Sequence, residues 1–143
     1  MMNPNLIAEQ AAARMNNGYS CSEAVLWAGG QVFPQKITDT MLKLATPFAG
    51  GIGSTYAGLC GALVGGIMVI GGVYGRLDST KDDAFCKKIA AEFFAEFRNN
   101  FDYVICDDLR THWVGKPGQE TCSILAQRTV LLLLKILDEQ KAP

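Results

Sequence analysis

The chain has 143 residues, which is long enough to bury a hydrophobic core and fits one domain spanning residues 1–143. Its charged fraction of 19% and net charge of −1 provide no basic surface for nucleic acid or for an anionic membrane. The first residues lack the basic start and apolar core of a secretory signal, so we expect a cytoplasmic protein. Because thiols stay mostly reduced in that compartment, five cysteines indicate metal binding or redox chemistry before structural disulfides.

The N-terminal third carries signals for three helices. The first is predicted over residues 4–17, where an asparagine cap is followed by proline. Ser20 and Glu23 have the spacing of a capping box, which places Cys21 in the first turn of the second helix. A short third helix is predicted over residues 38–45.

The middle of the chain, residues 47–75, is a Gly-rich loop running into an uncharged helical segment with Cys60 at the junction. Residues 57–75 approach the ~20 apolar residues that span a bilayer, which makes a membrane helix the rival interpretation. Seven of those 19 residues are glycine, and a helix that is apolar all round can also be the buried centre of a domain. We therefore predict a central helix, not a membrane span. Gly61 and Gly65 would allow a second helix to approach closely, including one from another copy in a homodimer.

The loop at 50–54, GGIGS, looks like a phosphate-binding loop but has no Lys-Ser/Thr after it, so nucleotide binding is not expected. One interpretation is a flexible connector. The other is that Gly50, Gly51 and Gly53, together with Gly61, let backbone N–H groups approach an anion such as a thiolate or a cluster sulfur.

The C-terminal half predicts a helix that begins at Asp78 and a last helix from Cys122 to residue 137. Cys86 falls on the apolar face of the first of these, which indicates a structural cysteine in the core. Cys106 is expected where that long helix ends and a short turn begins. The one histidine, His112, is expected in a loop and has no triad pattern around it.

Three of the cysteines, Cys21, Cys60 and Cys122, are predicted at or near helix starts, where unpaired N–H groups and the helix dipole favour a thiolate. We expect their pKa values to be lowered. The chain contains no CxxC pair, and the intervals between cysteines match neither a zinc ribbon nor a ferredoxin. Any site must be assembled from distant segments by the fold.

The segments GYSCSEAVL, PFAGGIG, LCGALVGGIMVIG and ICDDL, followed by the Cys122 helix, resemble in order the C_GCAxxG_C_C family of redox-active proteins over residues 16–137. The resemblance implies that the family's four cysteines are Cys21, Cys60, Cys106 and Cys122, with Cys86 outside the pattern. The family usually has a segment closer to NCAEAV at the first of these, so Ser20 and Ser22 depart from it. The family label names no reaction, although a similar domain accompanies haem and an iron–sulfur centre in split-Soret cytochromes.

The sequence thus predicts an all-α, single-domain bundle of five or six helices around the Gly-rich central helix. The first functional hypothesis is electron transfer to an unknown redox partner protein through an iron–sulfur cluster on the four cysteines, with zinc as a variant. The second is a thiol–disulfide protein without cofactor, in which Cys21 or Cys60 attacks and another of the four resolves. The third is a structural or interaction module whose cysteines are merely buried.

Overall fold

Helices account for all the regular secondary structure beyond isolated bridges in the computed structural model, which describes residues 2–140. The all-α class is therefore confirmed. The described residues contain seven α-helices where five or six were expected, because residues 106–112, predicted as turn and loop, form a helix of their own. The helices are α1 (Pro4–Asn16), α2 (Cys21–Val32), α3 (Asp39–Ala45), α4 (Gly61–Tyr74), α5 (Ala84–Phe101), α6 (Cys106–His112) and α7 (Cys122–Glu139), with a short 3-10 turn at Thr46–Phe48.

Local capping chemistry sets the helix starts in the N-terminal third. At α2 the backbone N–H of Ser20 donates to Glu23 Oε1 at 2.9 Å and the Ser20 hydroxyl accepts from the Glu23 N–H at 3.5 Å, which confirms the predicted capping box. Thr38 caps α3 by accepting from the Met41 N–H at 3.3 Å. These signals lie within four residues of each other in the chain, so they need no tertiary contact to act.

The predicted start of α5 at Asp78 is wrong, since the helix begins six residues later at Ala84. The carboxylate of Asp78 instead accepts from the Thr80 N–H at 2.9 Å, which closes a local turn. Arg76 holds the same loop by donating to the Ser79 and Lys81 carbonyls. An aspartate that serves a turn in this way cannot also cap a helix.

The interior of the bundle is shared by α2, α4 and α7, each of which packs against the other two. Two glycines of α4 make this packing close: a Cβ added at Gly65 would lie 2.7 Å from the Ser22 carbonyl, and one at Gly66 would meet the Phe93 ring. The small-residue face of α4 is therefore filled within the chain. The homodimer joined through this helix stays a prediction.

The uncharged helix α4 spans fourteen residues. Nowhere in residues 2–140 does a helix combine the length and the apolar character required to cross a membrane.

Candidate functional site

Four cysteines from four parts of the chain line one cavity of about 310 Å³. They are Cys21, Cys60, Cys106 and Cys122. Cys60 and Cys106 are buried, and Cys21 and Cys122 are partly exposed. All four carry free thiols. The remaining cysteine, Cys86, lies on α5, is half-buried against the core, and is not among the residues that line this cavity.

Each of these four residues stands at the start of a helix. Cys21, Cys106 and Cys122 are the first residues of α2, α6 and α7, and Cys60 is the N-terminal cap residue of α4. Cys106 thus differs from its predicted place at the end of a long helix. The cavity is consequently the point at which the N-termini of four helices meet. The N–H groups of Ala62 and Leu63 in α4 donate to Cys60, whereas the first two N–H groups of α6 donate to the Gly58 and Tyr56 carbonyls.

Backbone pairing between residues 56–60 and 104–107 brings Cys60 and Cys106 next to each other. The N–H of Cys60 donates to the Val104 carbonyl at 2.8 Å, and the N–H of Cys106 donates to the Gly58 carbonyl at 2.9 Å. An antiparallel bridge joins Leu59 and Ile105 between them. This short extended pair ties the start of α4 to the start of α6, and Cys60 lies at the predicted junction of loop and helix.

Two glycines make room for cysteine side chains. A Cβ at Gly61 would overlap the Cys21 sulfur, and a Cβ at Gly51 would lie 2.6 Å from the Cys106 Cβ. Gly51 also has a φ of +66°, a left-handed conformation that side chains other than glycine adopt at a cost. Gly61 is therefore required by the position of the Cys21 sulfur, and Gly51 by the Cys106 side chain and by its own backbone conformation.

The Gly-rich loop is a left-handed turn in which residues 50–54 all have positive φ. Gly50 lines the cavity, whereas a Cβ at Gly53 would meet nothing within 4 Å. The N–H groups of residues 52–54 donate to carbonyls of residues 47–49. The N–H groups of residues 52–54 are thus used within the loop, and Gly50 is the glycine of this loop that lines the cavity.

Burial reverses the predicted direction of the cysteine pKa values. Burial, and then the neighbouring Cys21, raise the pKa of Cys60 to about 12 even though hydrogen bonds from the Leu63 and Ala62 N–H groups act to lower it. Burial followed by the charge of Cys21 also raises the pKa of Cys106 and of Cys122. The expectation of lowered pKa values at Cys60 and Cys122 is wrong, because the free-energy cost of desolvating a thiolate exceeds the stabilisation that a helix N-terminus provides.

Arg110 and Tyr56 belong to the cavity wall and were not predicted as site residues. The guanidinium of Arg110 lies 3.7 Å from the centroid of the Tyr56 ring, which holds it in place. Its positive charge lowers the pKa of Cys106 and of Cys122, against the larger effect of burial. The one available sequence signal was the four-residue spacing from Cys106, which puts Arg110 on the same side of α6.

His112 is the last residue of α6 and stacks on Tyr103, with ring centroids 4.9 Å apart. It is exposed and does not line the cysteine cavity. The prediction that His112 lies in a loop is wrong, because it belongs to α6. Its described ring contact is with Tyr103 and not with a cysteine.

The donor chemistry of the cavity fits a cysteine-ligated group, since four thiols surround one space and glycines at 51 and 61 leave room beside two of them. Across the described span, residues 2–140, no group of three or more His, Cys, Asp or Glu side chains is arranged to hold a metal ion. The four sulfurs thus surround a volume without converging on a single coordination point.

Comparison with known proteins adds one finding. Residues 19–136 match the model of a family described as "Putative redox-active protein (C_GCAxxG_C_C)". The chain belongs to this family. Neither a curated protein nor a solved structure matches it. In this member of the C_GCAxxG_C_C family, the CGAxxG motif at residues 60–65 includes the cavity cysteine Cys60, Gly61, which faces Cys21, and Gly65, which packs against α2.

Proposed function

We propose that this protein transfers electrons through an iron–sulfur cluster held by Cys21, Cys60, Cys106 and Cys122. The observation that carries the proposal is the arrangement of four cysteines from four helix starts around one cavity of about 310 Å³. Clusters of this class use cysteine thiolates as ligands, and when bound they supply reversible one-electron chemistry. Membership of a family described as redox-active supports the same class of activity.

The side chains of the cavity determine how such a group would be loaded. Cysteine must lose its proton to act as a ligand. Since burial raises the pKa of Cys60, Cys106 and Cys122, these thiols hold their protons at neutral pH until a cation arrives. Loading should therefore release protons and become more favourable as the pH rises. Once ligated, the thiolates of Cys60 and Cys106, the two buried cysteines, would be shielded from water and from oxidants.

Metal and sulfide analysis tests the proposal. Anaerobically purified or reconstituted protein should contain iron and acid-labile sulfide, and serine at any of the four cavity cysteines should lower both. Cys86→Ser is the matched control, because Cys86 is a free cysteine outside the cavity. A wild-type protein that retains neither iron nor sulfide after reconstitution would contradict the proposal, and zinc in their place would support the single-metal variant.

A second candidate, thiol–disulfide exchange, is favoured by the position of Cys21, whose charge acts on each of the other three cavity thiols. In this reaction the Cys21 thiolate attacks a disulfide of a partner protein, forming a mixed disulfide and releasing one partner thiolate. A second cavity cysteine then attacks Cys21 Sγ and releases the other. The protein's two thiols become a disulfide, and their two protons end on the partner's two thiols. Cys60 is a poor attacking thiol, since its pKa is about 12.

Counting thiols after controlled oxidation separates this candidate from the first. The exchange mechanism predicts reversible loss of two thiols in wild-type protein and in Cys86→Ser, and no such loss in Cys21→Ser. If the four thiols neither bind iron nor oxidise in pairs, and resist alkylation until denaturation, the protein is the structural module of the third hypothesis.

A further inference from the structure

One charged side chain lines the cysteine cavity; the carboxylate of Asp107, outside the lining, also acts on the pKa of Cys106, with the opposite sign and a smaller effect than Arg110. Among the cavity-lining residues that the structure describes, Arg110 is the one with a permanently charged side chain; the others are cysteine, apolar, glycine, serine or tyrosine. Arg110 is exposed, so its guanidinium stands on the solvent side of the cavity. A group entering the cavity would therefore meet one positive charge before it reaches the sulfurs.

The cation at this position is held but not neutralised. The face of Tyr56 is its partner, at 3.7 Å from the ring centroid, and a ring face orients a cation without cancelling its charge. None of the ion pairs found within residues 2–140 includes Arg110. The arginines at 76 and 110 differ in this respect, since Arg76 is paired with Asp83 at 3.2 Å.

We propose that Arg110 is the specificity-determining residue of the cavity and that it selects groups of net negative charge. Arginine keeps its charge at any physiological pH and presents several donors in one plane, which suits it to carboxylates and other anionic groups. The inference rests on the proposed function in taking the cavity as the reactive site. It bears on both candidate reactions, because a carboxylate-bearing disulfide is anionic when it enters and a cluster core becomes net anionic once four thiolates hold it.

Competing alkylation by iodoacetate and iodoacetamide tests this selectivity directly. Both reagents form an S–C bond to the thiolate sulfur and release iodide, but iodoacetate is an anion and iodoacetamide is neutral. The ratio of their rates at one cysteine cancels the thiolate fraction and the accessibility of that sulfur. The reduced full-length chain is labelled after treatment with an iron chelator, its helical content is verified by circular dichroism, and the ratio at Cys21 and Cys122 is read by peptide mass spectrometry.

We expect Arg110→Gln to lower the iodoacetate-to-iodoacetamide ratio at these two cysteines by about threefold or more, and Arg110→Lys to retain most of it. The ratio at Cys86 should be the same in all variants, and removing another exposed cation by Lys135→Ala should leave the cavity ratio unchanged. In wild-type protein the cavity ratio should fall at 1 M salt, where the Debye length is about 3 Å.

An unchanged ratio in Arg110→Gln overturns the inference. If that variant fails to fold, a wild-type ratio that does not respond to salt overturns it instead. This test is independent of the proposed cofactor. If the protein binds no iron but the alkylation ratio still depends on Arg110, the inference about Arg110 stands. If the protein binds iron but the ratio does not depend on Arg110, the inference fails.

Discussion

Gly61 lies directly against Cys21, so that a Cβ at position 61 would overlap the Cys21 sulfur. This contact joins the start of α4 to the start of α2 at the wall of the cysteine cavity. It gives a steric reason for a glycine immediately after Cys60, at a place in the helix where alanine would otherwise be preferred.

Gly61→Ala should therefore destabilise the protein by about 1–3 kcal/mol, the usual cost of overpacking, and should reduce iron retention by displacing Cys21. Chemical denaturation and iron analysis measure the two effects. Gly71→Ala is the matched control on the same helix, because a Cβ there meets nothing within 4 Å. We expect that change to be neutral or to stabilise by up to about 1 kcal/mol. Equal effects of the two substitutions would contradict the steric argument.

The buried thiol of Cys60 should make stability depend on alkaline pH. Its pKa is about 12 in the folded protein, above the ordinary value of 9.0. Because the folded value is the higher one, the stabilisation is complete below about pH 9 and is lost as the pH rises toward 12, by about 1 kcal/mol per pH unit. The free energy of unfolding of the reduced protein, measured at several pH values between 8 and 11, should fall more steeply in wild type than in Cys60→Ser. Identical slopes would show that Cys60 does not titrate in this way.

Ser22 should be a stabilising residue even though the family segment usually has alanine at this position. Its side chain is fully buried, and its hydroxyl donates to the Ala45 carbonyl at 2.8 Å, which connects α2 to the end of α3. Ser22→Ala leaves the Ala45 carbonyl without this donor. We expect the free energy of unfolding, measured by urea denaturation, to fall by about 1–2 kcal/mol. Ser123→Ala, a change at a helix start with no such tertiary bond, is the control. A loss no larger than that of the control would contradict the role assigned to Ser22.

Glu23 should stabilise the start of α2 only while it is ionised. Hydrogen bonds from the Ser20 N–H, the Ser20 hydroxyl and the Thr46 hydroxyl lower the pKa of Glu23 from its ordinary 4.5. Since the folded value is the lower one, its contribution is present above pH 4.5 and is lost as the pH falls through the lowered value. Glu23→Gln should lower the free energy of unfolding, measured by urea denaturation, by about 1 kcal/mol at pH 7 and by less at acid pH. Glu9→Gln, on the exposed side of α1, should cost nothing at either pH.

The order of the helices could be predicted from the sequence wherever a local signal determines a helix start. Ser20 with Glu23, and Thr38 with the Met41 N–H, act across three residues and behave as predicted. The same reasoning failed at Asp78, where two local motifs compete for one carboxylate and the turn prevails. It also missed α6, since a helix of seven residues has little intrinsic stability and depends on the backbone pairing of residues 56–60 with 104–107.

The set of four cavity cysteines was implied by the family resemblance, and local capping patterns had separately placed Cys21, Cys60 and Cys122 at or near helix starts. What surrounds them was decided by tertiary structure. The raised pKa of Cys60 depends on burial by distant helices, and the position of Arg110 over Tyr56 depends on a contact between residues 54 positions apart. By itself the sequence determined where the locally capped helices α2 and α3 begin and that Cys21 stands in the first turn of α2, because capping is short-range. Only the tertiary structure decided which helix N-termini lie together, how deeply the thiols are buried and which charged side chain is near them. Burial and electrostatic fields depend on all parts of the fold at once.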